Sequence, residues 1–446
     1  PHRIPRAMGT PYLAGAFARD TCEIRLFNEQ CDGPIRDVAL LGWPDMLVLT
    51  GLTSSFDRMK QLTAYARALN PRVVVVAGGS AIRALPRLSE RIFDYACLGD
   101  IEQLRDVVRE ALGPGHVAEE MNPRFDLPYG GGMLGYVETS RNCNFRCSFC
   151  SLTGEQGSYG NYDLDNVRRQ LVAAGRKHIC VIDNNFYGND RDHFLAKVDL
   201  LGTFHEAGRI KDWSCLVTGD FFAKGDNLDR LRRAGCKVVF SGVESFDSET
   251  LRSYNKKQNS VVSQIETIRA TLEAGIGFAY GVMLDPTVRR LDDLRNEIEF
   301  ILSRPEITLP AYFTLAIPLP GTPYFRQCVD AGLLFPDTRL RNLDGVTLTM
   351  RPLDPVEEVI RFARDLLSIR GYRRQAMRHM AGFMRRYRGT LEPMQLLGAM
   401  LSGILISTEF FASSPGRIQH GRPRQTYYGP TEVLDPCYTP LIRIPS

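Results

Sequence analysis

Short apolar runs alternate along most of this chain with longer stretches in which apolar residues recur every three to four positions. The short runs read as strands covered on both faces, and the longer stretches as helices packed against them. In residues 1–122 the strand-like runs are Cys22–Phe27, Met46–Thr50, Val73–Ala77 and Asp94–Leu98. Helical patterns lie at Gly9–Arg19, Phe56–Leu69 and Ile101–Leu112. This order predicts a doubly wound, Rossmann-like α/β domain. Pro123–Gly132, rich in proline and glycine, marks a linker.

A second region, residues 123–345, repeats strand then helix. Strands are expected at Leu134–Thr139, His178–Ile182, Trp213–Val217, Lys237–Ser241, Gly277–Met283 and Ala311–Ile317. Between them fall helices at Asn166–Ala174, Arg191–Ala207, Asn227–Ala234, Val262–Ala274 and Leu291–Ser303. The rhythm predicts an open six-stranded β/α barrel, a partial TIM barrel with its site at the carboxyl ends of the strands.

Residues 346–446 read as a helical C-terminal extension and tail. Val356–Tyr387 and the residue after it are dense in arginine (Arg361, Arg364, Arg370, Arg373, Arg374, Arg378, Arg385, Arg386 and Arg388), opposed by Glu357, Glu358 and Asp365. Met394–Ile406 is almost continuously apolar but too short to span a bilayer. Such a pair either rests on an anionic membrane surface or forms a solvated face and a buried helix closing the barrel. The aromatic tail segments Thr426–Pro430 and Pro436–Pro440 are expected to pack over the site as a lid.

Composition narrows the class. With 446 residues and ordinary apolar and charged fractions, the chain is globular with large cores. A net charge of +4 and a pI near 8.5 are too mild to argue for nucleic acid. Eleven cysteines, three closely spaced, suit a reducing compartment, so the expected location is cytoplasmic, with peripheral contact at the inner membrane through the C-terminal region. The sequence opens at Pro1 without a methionine, and a first strand is expected among residues upstream.

The candidate chemistry centres on Cys143, Cys147 and Cys150. A C-x3-C-x2-C spacing lets three thiolates from one loop take three corners of an iron-sulfur cube, leaving one iron without a protein ligand. An open position binds substrate or cofactor. Zinc would need a fourth ligand, for which His178 and Cys180 are nearest in sequence. Together with Phe149 before the last cysteine, the spacing resembles the radical S-adenosylmethionine (radical SAM) superfamily. That resemblance implies a [4Fe-4S] cluster whose open iron chelates S-adenosylmethionine and whose electron releases a 5'-deoxyadenosyl radical.

Further segments extend the resemblance. Asp183 and Asn184, ending the second barrel strand, match positions that hold the methionyl amino group. Glu244, ending the fourth, matches a carboxylate at the ribose hydroxyls, Lys256 suits a carboxylate, and Pro318–Pro323 matches a turn of relatives with cobalamin domains. The fifth strand departs from the pattern at Leu284-Asp285-Pro286. In the first region Thr50 and Ser54, Gly78 and Gly79, and Gly99 follow strands, where ligands of such sheets bind. With Tyr12-Leu13-Ala14 and Leu98–Glu102 they resemble the cobalamin-binding domain preceding many radical SAM cores. No Asp-x-His-x-x-Gly occurs, which implies either cobalt without a histidine ligand or a domain that binds nothing. Cys180, Cys215, Cys236 and Cys328 read as core. Cys22, Cys31 and Cys97 do not match the spacing of a methylthiotransferase's second cluster.

The resemblance implies cobalamin-dependent C-methylation of an unactivated carbon in a lipid, tetrapyrrole or natural-product intermediate, with an external electron donor such as flavodoxin or ferredoxin. The alternatives are a radical oxidative cyclase, hydroxylase or rearrangement enzyme, and a non-catalytic iron-sulfur protein. Hydrogen abstraction by a radical requires no side-chain acid or base, and none is nominated.

Overall fold

The computed structural model describes residues 9–29, 35, 39–127, 134–336, 338–367 and 372–406. In the first region three parallel strands, β1 (Met46–Thr50), β2 (Val74–Gly78) and β3 (Tyr95–Ala96), pair in that order, Met46 opposite Val74. Alternation along β2 sends Val75 and Ala77 into a core with Phe56, Met59, Leu62, Ile82 and Leu88. Val76 enters a second core with Ala16, Leu104, Val107 and Val108. Helices therefore cover both faces, as a buried parallel sheet requires.

The helix Phe56–Leu69 lies where its periodicity places it, whereas the first helix and β3 are shorter than expected and one expected strand does not form. The first helix spans Gly9–Ala14. At Gly15 any Cβ would lie 2.3 Å from the Asn122 carbonyl oxygen, so the chain turns against a neighbouring backbone. Cys22–Phe27 is not a strand: its residues alternate between exposed and half-buried but make no ladder bonds, and a cleft separates it from β1. Alternation specifies a half-buried extended segment; it does not supply a pairing partner.

The second region is a six-stranded parallel sheet in the order β9-β8-β7-β6-β5-β4. Its strands are β4 (Leu134–Val137), β5 (His178–Val181), β6 (Asp212–Val217), β7 (Cys236–Glu244), β8 (Gly277–Leu284) and β9 (Tyr312–Leu315). Each falls on an expected run. Trp213, Cys215 and Val217 pack outward against Phe194 and Leu201, and Phe278, Tyr280 and Val282 against Leu294, Ile298 and Ile301. The opposite faces line the lumen, where Phe240 and Tyr312 stack with ring centroids 6.1 Å apart. Tyr312 fits because position 281 is glycine; a Cβ there would lie 2.2 Å from its ring.

Three helices follow, Val356–Leu367, Arg374–Tyr387 and Pro393–Met400. The middle one buries Ala376, His379, Met380, Phe383 and Tyr387 in the barrel's outer core. His379 bonds the carbonyls of Leu302 and Ile307, and Gln395 donates to those of Lys237 and Gly275. These helices thus close the amino-terminal end of β7 to β9, opposite the strand ends that carry the cysteines. Among the described residues no helix is long and apolar enough to cross a membrane. Both tail segments expected as a lid, Cys31, and much of the Pro123–Gly132 linker lie outside the described residues.

Candidate active site

The cysteine loop leaves β4 and is anchored at its base by a buried carboxylate. Asp183, fully buried at the end of β5, accepts from the Thr139 amide at 2.6 Å and from the Thr139 and Ser140 hydroxyls, each at 2.5 Å. Lys197 Nζ lies 3.7 Å from the same carboxylate. Asp183 therefore faces the loop base, while Asn184 beside it is exposed. Asn142 takes φ +60°, a left-handed conformation asparagine tolerates, and donates to the Ser158 carbonyl.

A second clamp holds the middle of the loop. Ser148 donates its amide to the Tyr254 carbonyl at 2.9 Å and accepts from the Tyr324 amide at 3.0 Å. Both tyrosine hydroxyls donate to one oxygen of Asp285, each at 2.6 Å, and the other oxygen accepts from the Thr287 amide and hydroxyl. Burial and the Asp285 charge push both phenols far above their ordinary range, so they stay donors. The departure at the fifth strand thus supplies the group on which the clamp closes.

Around the loop stand Phe149, Glu244 and Lys256. Lys256 Nζ lies 2.7 Å from Glu244 Oε1 and 5.6 Å from the Phe149 ring centroid. Burial works against the Lys256 charge, but Glu244 and the sulfurs of Cys147 and Cys150 outweigh it and hold its pKa above the ordinary value. Glu244 itself sits at φ +61°, a conformation costing a side chain about 1 kcal/mol. Burial pushes the Cys143 thiol up and that of Cys150 to about 11, and the neighbouring thiols add to both shifts. Gln258 Nε2 lies 3.4 Å from Cys147 Sγ.

The first domain presents its carboxyl edge to this loop. Thr50 ends β1, Gly78 ends β2, and Gly79 takes φ +91° where a Cβ would lie 2.9 Å from Thr50 Oγ1. Gly99 follows β3 and its carbonyl accepts from Arg83 at 2.8 Å. The same guanidinium pairs with Glu155 at 2.5 Å, on the short helix that starts after Cys150. Arg141 of the cysteine loop reaches back to Glu102 at 2.5 Å and to Glu138 at 3.0 Å. A cleft of about 1550 Å³ is lined by Thr50, Ser54 and Ser80 of the first domain and by Ser151, Ile317 and Leu319 of the second. Of the residues read from the sequence, Thr50 and Ser54 line this cleft, whereas Gly78, Gly79, Gly99 and the three cysteines do not; the cysteine loop reaches it at Ser151, next to Cys150.

Residues 137–300 match the family model described as the radical SAM superfamily. That region is a radical SAM domain. It is 23% identical over 395 residues to the hopanoid C-2 methylase of Rhodopseudomonas palustris, covering 82% of this chain and 71% of that protein. It is 25% identical over 211 residues to the bacteriochlorophyllide d C-8(2)-methyltransferase of Chlorobaculum tepidum, covering 44% of this chain and 45% of that one. In fold it resembles the cobalamin-dependent S-adenosylmethionine radical enzyme OxsB solved with aqua-cobalamin bound, with a TM-score of 0.55 at 17% identity over 84% of this chain and 72% of that one.

In this radical SAM enzyme the donor set fits a cubane. Three sulfurs sit on one loop, that of Cys147 close enough to raise the pKa of Cys143 and Cys150, with a buried amide donor and a cation beside them. Among the described residues no three His, Cys, Asp or Glu side chains converge on a single ion; a cubane needs no such convergence, since each sulfur takes a different iron. Three residues escaped sequence reasoning. Asp285 looked like a broken turn, and Gln258 is 111 positions from the sulfur it touches. Asn185 donates to Asn144 on the cysteine loop at 2.7 Å and buries an unpaired Oδ1; its position beside Asp183 and Asn184 was the available signal.

Proposed function

We propose that this enzyme is a cobalamin-dependent C-methyltransferase acting on an unactivated carbon of an apolar, polycyclic substrate such as a lipid or tetrapyrrole. The observation that carries this reading is the apposition of the two halves: the carboxyl edge of the first sheet and the cysteine loop are tied together by Arg83–Glu155 and Arg141–Glu102, beside a cleft that Thr50 and Ser54 border on one side and Ser151 on the other. The functions of the two methyltransferase relatives above support the same reading. When bound, the cofactors supply one-electron cleavage of S-adenosylmethionine and a carrier for the methyl group.

The chain's own residues then divide the work. Cys143, Cys147 and Cys150 hold the cluster, and Asp183 keeps their loop in place through Thr139 and Ser140. Phe149, Asn184, Glu244 and Lys256 position S-adenosylmethionine, with the Glu244 carboxylate suited to a diol. Thr50, Ser54, Gly78, Gly79 and Gly99 receive cobalamin, the glycines allowing close backbone approach. Leu216, Phe240 and Tyr312 give the lumen an apolar wall. We place the domain boundaries at residues 122 and 345.

The exposed arginines of Arg374–Tyr387, interleaved with exposed Met377 and Met384, and exposed Met394, Leu397 and Leu401 on the next helix support peripheral contact with an anionic membrane at its cytoplasmic side. Flotation with anionic and neutral vesicles tests that contact, and binding to neither would end it. For the activity, the test is an anaerobic reaction with S-adenosylmethionine, a low-potential reductant and apolar polycyclic candidates. A product heavier by one methylene supports methylation. A product lighter by hydrogen or heavier by oxygen alone would assign cyclase or hydroxylase chemistry instead.

A further inference from the structure

We propose that Gln258 tunes the reduction potential of the cluster through a hydrogen bond to the sulfur of Cys147. This rests on the reading that Cys143, Cys147 and Cys150 hold a [4Fe-4S] cluster. Gln258 is 4% exposed and Cys147 7%, so the 3.4 Å contact between Nε2 and Sγ lies out of reach of bulk water. A sulfur bound to iron carries no proton and can only accept, which makes the amide nitrogen the matching group.

The amide is held by a rigid surround. Gln258 lies in the turn Lys257–Ser260, and its carbonyl oxygen would be 2.4 Å from a Cβ at Gly219, so the end of β6 closes directly over it. The next residue, Asn259, donates to the carbonyls of Gly242 at 2.7 Å and Val243 at 3.2 Å, fixing the turn to the end of β7. The Gln258 side chain thus reaches the sulfur from two strand ends that do not belong to the cysteine loop.

A donor aimed at a ligating sulfur stabilises the reduced cluster, the more negative state, more than the oxidised one, and so raises its potential. Gln258 is a positioning residue in this sense: it acts on the electron acceptor through a ligand.

The test is a redox titration of the reconstituted full chain, followed by electron paramagnetic resonance, for the wild type and Q258L. We expect equal iron content and a midpoint more negative in Q258L, with the ratio of reduced to oxidised cluster at a fixed poise falling about tenfold, equivalent to ~59 mV for one electron. Equal iron with an unchanged or higher midpoint overturns the proposal. If Q258L does not retain iron, the near-isosteric Q258M is read instead, since its thioether has no hydrogen to donate. A Q258M midpoint at or above that of the wild type overturns the proposal equally. Failure of the wild type to hold a [4Fe-4S] cluster refutes the underlying reading rather than the role of Gln258.

Discussion

Replacing Asp285 with asparagine removes the charge on which the clamp closes while keeping the shape. Four donors converge there at 2.6 to 2.9 Å, two tyrosine hydroxyls on one oxygen and the amide and hydroxyl of Thr287 on the other. Bonds to a charged acceptor are worth about 1.5–3 kcal/mol each, neutral ones about 0.5–1.5. Asparagine keeps one acceptor oxygen and turns an NH2 group towards the other pair of donors. We therefore expect the clamp to weaken by ~2–4 kcal/mol. The readout is local, because Ser148 donates its amide to the carbonyl of Tyr254, one of the two clamped tyrosines. Hydrogen exchange of peptides covering 143–150 in D285N should accelerate roughly thirtyfold to a thousandfold, the factor those energies correspond to. Peptides from β1 to β3 should be unchanged. Cluster loss to a chelator should quicken in parallel. Wild-type protection across 143–150 in a folded D285N protein would refute the claim that Asp285 holds the cysteine loop.

Three other outcomes follow from the same geometry. A Cβ at Gly242 would lie 2.5 Å from Glu244 Oε1 and 2.8 Å from Lys256 Nζ, so G242A should part the pair and weaken S-adenosylmethionine binding by about tenfold or more in equilibrium dialysis, ~1.4 kcal/mol. At Gly79 the positive φ and the 2.9 Å approach to Thr50 Oγ1 should make G79A lose cobalamin on desalting while keeping its iron, the strain being about 1–3 kcal/mol. Glu138 is the most buried of the carboxylates sharing Arg141; burial, offset in part by Arg141 and reinforced by Asp183 and Glu102, pushes it from 4.5 to about 7. Its folded pKa is raised, so the stability it confers is complete below 4.5 and is lost as pH rises through about 7. Thermal unfolding of E138Q across that window should therefore vary less with pH than that of the wild type; identical profiles would contradict the assignment.

The barrel was legible because each of its strands is a short apolar run and each helix a 3.6-period pattern, and neither requires knowledge of a partner. Cys22–Phe27 failed for the complementary reason: strand identity depends on pairing, which one segment does not encode. Within the site, the cysteines and Phe149 were nominated from a local spacing, Glu244 from a strand end and Lys256 from the close of a helix segment, and the fold brings Glu244 and Lys256 to 2.7 Å. Asp183 was found, but its direction was not, since which way a carboxylate turns at a strand end depends on Thr139 and Ser140 more than forty positions away. Gln258 reaches a sulfur 111 positions away, and Asp285 has a near partner in Thr287 but clamps tyrosines 31 and 39 positions away, so the neighbourhood of neither announces the role.

The central claim, that this one chain holds both the cluster and cobalamin, is tested most directly by composition. The full chain is reconstituted anaerobically with iron and sulfide, incubated with hydroxocobalamin, desalted, and assayed for iron and cobalt together with its absorption spectrum. The account predicts four iron atoms and one cobalt per chain, with cobalt lost in G79A. Full iron with no retained cobalt, while S-adenosylmethionine is still cleaved on reduction, would contradict it and leave a radical enzyme that works without cobalamin.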